Sequence, residues 1–211
     1  ALGRLIDGGA QVILTCDTGI AAHNAVDYAQ GRGVDVIITD HHQLPEILPD
    51  ALAAVNPQRL PADHPLHTLP GVGCAYKVIE AMYQRAGRVD EVDDYLDLVA
   101  LGIVADVAVQ TGDTRYLLQL GLERLRQPLR LGLREVMALA KIDPQTLNEE
   151  NIGFGIAPRM NALGRLDDAN AAVELLTTDD LERARILANR LEGLNAERRM
   201  LSDQVFRAAE E

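Results

Sequence analysis

The sequence predicts an α/β fold: a parallel β-sheet flanked by helices, followed by a mainly helical part and a long C-terminal helix. Three observations predict it. Short apolar runs without polar alternation recur at 11–17, 34–40 and 51–57, the pattern of strands covered on both faces of a parallel sheet. A helical pattern separates the first two runs, as a right-handed crossover requires. From about residue 70 onward the apolar spacing becomes helical.

The elements follow in order. "QVILTCD" (11–17) is a short strand closing on Asp17. "TGIAAHNAVDYAQGRG" is a helix stopped by Gly31 and Gly33. "VDVIITD" (34–40) is the second strand, again closing on an aspartate, and "ALAAVNP" (51–57) the third, broken by Pro57. "GVGCAYKVIEAMYQRAG", "EVDDYLDLVALGIVAD", "TRYLLQLGLERLRQ" and "LREVMALA" are the next helices. The stretch 143–170 is polar and punctuated by glycine, which predicts a loop region, in part helical. The last helix begins at Thr178, where Asp179 and Asp180 favour a helix start. It runs to the end without proline, with Gly193 its one internal glycine. Leu187, Leu191, Leu194, Leu201, Val205 and Ala208 form one stripe, interrupted by Arg198. At about 1.5 Å per residue it would extend ~45–50 Å, too long to lie wholly on a small domain. The expected organisation is a domain over 1–176 and a connector helix over 177–211. The chain opens without Met and stops within a helical run, as a piece of a longer protein would.

Composition sets broad limits. With 47% hydrophobic and 25% charged residues, the 211-residue chain reads as an ordinary globular protein. A net charge of −12 does not advertise a nucleic-acid binder, although local arginines or bound cations reverse the field at a site. Two distant cysteines, Cys16 and Cys74, make no disulfide framework and fit a cytoplasmic setting. No apolar run approaches the roughly 18 residues of a membrane span, and no signal peptide is visible.

The chemistry gathers at strand ends. Ligands of open parallel sheets bind outside the carboxyl ends of the strands. Asp17 and Asp40 sit at two such ends, and His41 and His42 follow at once. Asp106 closes another apolar run, in "LGIVADVAVQTGD". Carboxylates with an imidazole suit hard-to-borderline divalent ions such as Mn²⁺ or Mg²⁺. Each piece has a plainer reading: Asp17 as a helix cap, a histidine pair as a loop feature. "GVG" at 71–73 lacks the third glycine of a dinucleotide fingerprint and reads as close packing at a helix start. His64 and His67 lie in a proline-rich loop, His23 is a surface or capping residue, and Cys16 reads as a small buried apolar residue.

Taken together, "TCDTGI", "TDHH" and "GIVADVA" resemble three successive motifs of the DHH phosphoesterase superfamily. "GFGIAPRMNALGRLDDANAAVELL" narrows the resemblance to RecJ-type exonucleases, which degrade single-stranded DNA from the 5′ end. "LPGVGCAYKVIEAMY" and "LEGLNAERRMLSDQVF" are similar to that family too, so the resemblance covers essentially the whole chain. It implies a two-metal site holding Mn²⁺ or Mg²⁺. Asp17 matches the aspartate that bridges both ions, and His41 and Asp106 match ligands of one ion. Asp40 matches a residue that orients a ligand or water, and His42 one that reaches the phosphate. Arg159, Asn161 and Arg165 lie in the family's arginine motif, which the resemblance places on DNA phosphates.

The resemblance further implies single-stranded DNA as substrate, and a helicase and a single-strand-binding protein as partners, in DNA repair and recombination. One departure stands out. The family's first motif, an Asp-x-Asp pair, is absent from these 211 residues, so the chain alone is expected to be inactive. The alternatives are a superfamily phosphodiesterase for short oligonucleotides or cyclic dinucleotides, a pyrophosphatase, and a non-catalytic scaffold that kept the fold.

Overall fold

The structure, a computed structural model, describes residues 2–166 and 169–210. The side chains at 163, 165, 166, 209 and 210 lie outside the described residues. The chain divides into two compact units, 1–121 and 122–211.

The first unit is built on three parallel strands, β1 (Val12–Cys16), β2 (Asp35–Thr39) and β3 (Ala53–Val55), in the order β1-β2-β3. The register pairs Val12 with Asp35 and Cys16 with Thr39, then Ile37 with Ala53 and Thr39 with Val55. All three strands therefore stop at one edge, and Asp17 and Asp40 leave that edge side by side. Helix α1 (Leu2–Asp7) precedes β1, and helix α2 (His23–Gln30) joins β1 to β2. Ile6, Ile20, Val26 and Ala29 pack with Val36 and Ile38 of β2 as one apolar cluster. Helices α3 (Gly71–Arg85), α4 (Leu96–Ala105) and α5 (Gly112–Leu125) follow, the last running across the division.

Two strands depart from expectation: in β3 Ala53 and Val55 are exposed on one face, and the larger departure is at β1. β1 is not covered on both faces: Val12 and Leu14 are 53% and 54% exposed. Cys16 shares that face and is exposed, not buried. The physical reason is that an all-apolar strand carries no alternation to reveal which face meets water.

The second unit is helical. It holds α6 (Leu131–Leu139), a π-helical turn (Asn151–Ile156), α7 (Ala157–Leu166), α8 (Asn170–Thr177) and α9 (Leu181–Glu210). Much of 143–170, expected as a loop region, is therefore helix. The glycines and Pro158 look like breakers, but the chain is helical without interruption from residue 149 through the π turn into α7, and Pro158 lies within that run. α9 starts three residues later than predicted. Asp180 caps it, its Oδ1 accepting from the N–H groups of Glu182 at 2.9 Å and Arg183 at 3.2 Å. Leu187 and Leu191 are buried with Ala184 and Ala188, whereas Leu201 and Val205 are exposed. The stripe packs over its first half only. No described helix is long and apolar enough to cross a membrane.

Five helices end in the same device, with one N–H bonded three residues back and the next bonded five back. α1, α2 and α3 place Gly9, Gly33 and Gly87 at the left-handed position this needs. α4 and α6 place Val107 (φ 54°) and Lys141 (φ 56°) there instead.

Candidate active site

The strand edge of the first unit collects five polar side chains. Asp17 follows β1, and its N–H still bonds Thr39 O at 2.9 Å, so the ladder continues one residue past the strand. Its backbone then turns left-handed, at φ 62°, a conformation aspartate tolerates better than most residues. The turn brings Asp17 Oδ1 to 3.0 Å from His41 Nε2. Helix α3 comes so close that a Cβ on Gly71 would collide with Asp17 Oδ1, Cγ and Cβ. The "GVG" reading as close packing thus acquires an object, the Asp17 carboxylate.

Asp40 is 1% exposed and heavily bonded. Oδ2 accepts from Ile20 N at 2.9 Å, while Oδ1 accepts from His41 N at 2.8 Å and His42 N at 3.2 Å. Oδ1 also lies 2.7 Å from His42 Nδ1. Burial alone would raise the Asp40 pKa; the donors from Ile20, His42 and His41 outweigh it and hold the carboxyl below its ordinary value. The bond to Asp40 in turn raises the His42 pKa, against some desolvation and with help from the charges of Asp40, Asp17 and Asp106.

Asp106 joins from another direction. It caps the carboxyl end of α4, not of a strand, yet its Oδ2 stands 3.6 Å from His41 Nε2. Burial pushes its pKa up, Asp17 adds to that, and the two histidines oppose it. His41 Nε2 is thus buried between two carboxylates and makes no hydrogen bond among the described residues. A buried ring nitrogen without a partner is costly in an ordinary loop. Facing two carboxylate oxygens, it is the arrangement a divalent cation satisfies. Asp17, His41 and His42 each offer a ligand atom within 4.8 Å of the others. The residues present therefore fit a metal ion.

Two supports carry no motif. Asn56, 5% exposed at the end of β3, donates from Nδ2 to His42 O at 2.9 Å and accepts from Gln58 N at 2.8 Å. Its only signal is the Asn-Pro pair after an apolar run, which marks a turn. Cys74 lies under the site, its Sγ 3.6 Å from Asp40 O. Burial, with the charges of Asp40 and Asp17, pushes that thiol up to about 12.

The other expected residues fall elsewhere. His64 Nδ1 accepts from Leu66 N at 3.1 Å and His67 Nδ1 lies 3.2 Å from Leu60 O, so both organise their own loop. His23 opens α2. Arg159, in the second unit, is 7% exposed. Its Nε and Nη2 donate to Glu192 at 2.5 and 3.2 Å and its Nη1 to Gly155 O at 2.6 Å. Asn161 is exposed on α7. Arg165 belongs to the backbone of α7, but its side chain lies outside the described residues.

Residues 4–103 match the DHH family, N-terminal domain, a match that stops just short of Asp106. The chain is 42% identical over 211 residues to the single-stranded-DNA-specific exonuclease RecJ of Bacillus subtilis, covering 100% of this chain and 26% of that protein. It is 41% identical over 202 residues to RecJ of Salmonella typhimurium, covering 90% of this chain and 35% of that protein. Among solved structures, RecJ from Thermus thermophilus in complex with Mn²⁺ superposes with a TM-score of 0.88 at 32% identity. That match covers 98% of this chain and 31% of that one. The Mg²⁺ complex of the same protein gives 0.73 at 27% identity, over 98% of this chain and 35% of that one. The chain thus spans between 26% and 35% of these relatives' length. Residues 4–103 carry the N-terminal domain of the DHH family, and the chain is similar to RecJ along its whole length.

Proposed function

We propose that this chain is part of a metal-dependent 5′→3′ exonuclease that hydrolyses phosphodiester bonds of single-stranded DNA in repair and recombination. The observation that carries the reading is His41 Nε2, buried between Asp17 and Asp106 and without a hydrogen bond among the described residues. The relatives are single-stranded-DNA-specific exonucleases, which suggests the substrate, and their complexes with Mn²⁺ and Mg²⁺ suggest the metals.

Asp17, His41 and Asp106 would hold the ion, which when bound activates water and polarises a phosphoryl oxygen. The chain's own residues do the rest. Asp40 fixes the histidine loop through both backbone N–H groups and grips His42 Nδ1. Asn56 holds the His42 carbonyl from the other side. His42, whose pKa the bond to Asp40 raises, is read as the residue that reaches a phosphate oxygen. Asn161 and Arg165 are assigned to phosphates of the strand. Arg159, with its donors committed to Glu192 and Gly155, serves better as a strut for α7 than as a direct contact.

Residues 177–211 are read as a connector, which the exposed Leu201, Val205 and Phe206 on α9 support. The setting proposed is the cytoplasm, with a helicase and a single-strand-binding protein as partners. The 211 residues contain no Asp-x-Asp pair, so the chain by itself is expected to show little or no nuclease activity.

The test is digestion of end-labelled single-stranded DNA with Mn²⁺, using the full-length protein, its Asp17→Ala variant and the 211-residue chain alone. Processive shortening from the 5′ end by the full-length protein, lost in Asp17→Ala, is the expected result. Cleavage confined to dinucleotides would favour the small-substrate phosphodiesterase. Absence of Mn²⁺ binding by the full-length protein would favour the scaffold.

A further inference from the structure

Val107 is the least comfortable residue beside the site. It follows Asp106 directly and occupies the left-handed position that ends α4, with its N–H on Val104 O at 3.1 Å and the Ala108 N–H on Ile103 O at 3.2 Å. Three other helices of the same unit meet this requirement with glycine. A β-branched residue with φ 54° is a backbone outlier, and such strain persists where something else demands the side chain. The fold makes no such demand, because Val107 is 87% exposed. Val109, two residues on, is 63% exposed. Two valines therefore stand in solvent on the segment leaving a candidate ligand whose carboxylate lies 3.6 Å from His41. A neighbouring Cα is only about 3.8 Å away along the chain, so the Val107 backbone is next to that of Asp106.

We propose that Val107, aided by Val109, is a substrate-positioning residue: an apolar rest for the deoxyribose or base next to the phosphate held at the site. This rests on the exonuclease reading above. Every nucleotide offers apolar sugar and base faces beside its phosphate, so such a rest suits a single strand of any sequence. The strained backbone keeps the valine fixed at the rim instead of folded back on α4.

The test uses the full-length protein with three variants. Val107→Gly and Val107→Asn both suit the left-handed position and remove the apolar rest; Val107→Leu keeps it without the β-branch. The readouts are the unfolding midpoint, and kcat and KM on a single-stranded oligonucleotide with Mn²⁺. Gly and Asn are expected to raise the midpoint by about 2–4 °C and KM by about tenfold, the scale for covering part of one valine. kcat should stay within about twofold, and Leu should retain the original KM. Unchanged KM in Gly and Asn would overturn the proposal, as would a lowered midpoint, which would mean that Val107 packs within the folded protein. A wild-type protein without nuclease activity would instead refute the exonuclease reading itself.

Discussion

Two clusters of charge in this molecule are built in opposite ways. At the strand edge of the first unit, His41 Nε2 faces Asp17 and Asp106 and makes no hydrogen bond among the described residues. At the joint between α7 and α9 in the second unit, the Arg159 side chain is more buried than that of His41, 9% against 21% exposed, and has three of its nitrogens committed to Glu192 and Gly155. The first cluster leaves donor capacity open and tolerates a raised Asp106 pKa; the second closes on itself. Unfilled capacity on a buried polar atom is a cost that folding alone would remove, so it points to a ligand. Filled capacity points to structure. The two clusters should therefore respond differently when cut.

The largest effect is expected at Gly71. An alanine Cβ there would meet Asp17 Cγ at 2.6 Å and Asp17 Cβ at 2.7 Å, too close for a change of rotamer to relieve. Asp17 would have to leave its left-handed position, taking its carboxylate from His41. Gly71→Ala should lower Mn²⁺ affinity by at least about 100-fold, beyond the range typical of supporting residues. Unfolding by denaturant should change far less, because the carboxylates repel one another without the ion. Titration calorimetry with Mn²⁺ checks this. Unimpaired binding would break the comparison on the side of the site.

Arg159→Ala probes the other side. Removing the buried arginine leaves Glu192, itself 35% exposed, without its partner, and the cost should be about 2 kcal/mol in urea unfolding. Arg159→Ala with Glu192→Ala should cost less than the sum of the two single changes. Arg159→Lys should not rescue, since an ammonium cannot make the forked contact. Mn²⁺ affinity should be unchanged in all of them. A loss of Mn²⁺ binding would show that the joint belongs to the metal site and erase the distinction.

The same contrast explains what is legible in the sequence. Asp17, Asp40, His41 and His42 are legible because strand ends in a parallel sheet form a common edge, and the apolar runs stop abruptly on these residues. Asp106 is legible as the acid closing an apolar run, although the run is a helix. The division of labour is not legible: nothing in "TDHH" says that Asp40 grips His42 while His41 is left open. Asn56 and Gly71 are unreadable as site residues because their roles depend on contacts 14 and 54 positions away in the chain. The π turn and α7 look like loop because glycine and proline are local signals, whereas what stabilises this stretch is tertiary burial of Ile152, Ile156 and Ala162. The partnering of Arg159 is equally hidden, since Glu192 lies 33 residues away.

The smallest effect is expected at Lys141, and it separates the two non-glycine helix ends. Lys141 closes α6 with the same pair of bonds that Val107 makes for α4, to Ala138 O at 3.1 Å and, from Ile142, to Met137 O at 2.9 Å. Its side chain is exposed and unbranched at Cβ, so its left-handed backbone costs less than a valine's. Lys141→Gly relieves that cost but gives the unfolded chain more freedom, and the two nearly cancel. A stabilisation of no more than about 0.5 kcal/mol is expected in urea unfolding. Val107→Gly should stabilise more, because the relief is larger where the side chain is β-branched. If Lys141→Gly stabilised as much as Val107→Gly, the strain at Val107 would be no greater than at an ordinary helix end. The valine beside Asp106 would then need no functional reason for its place.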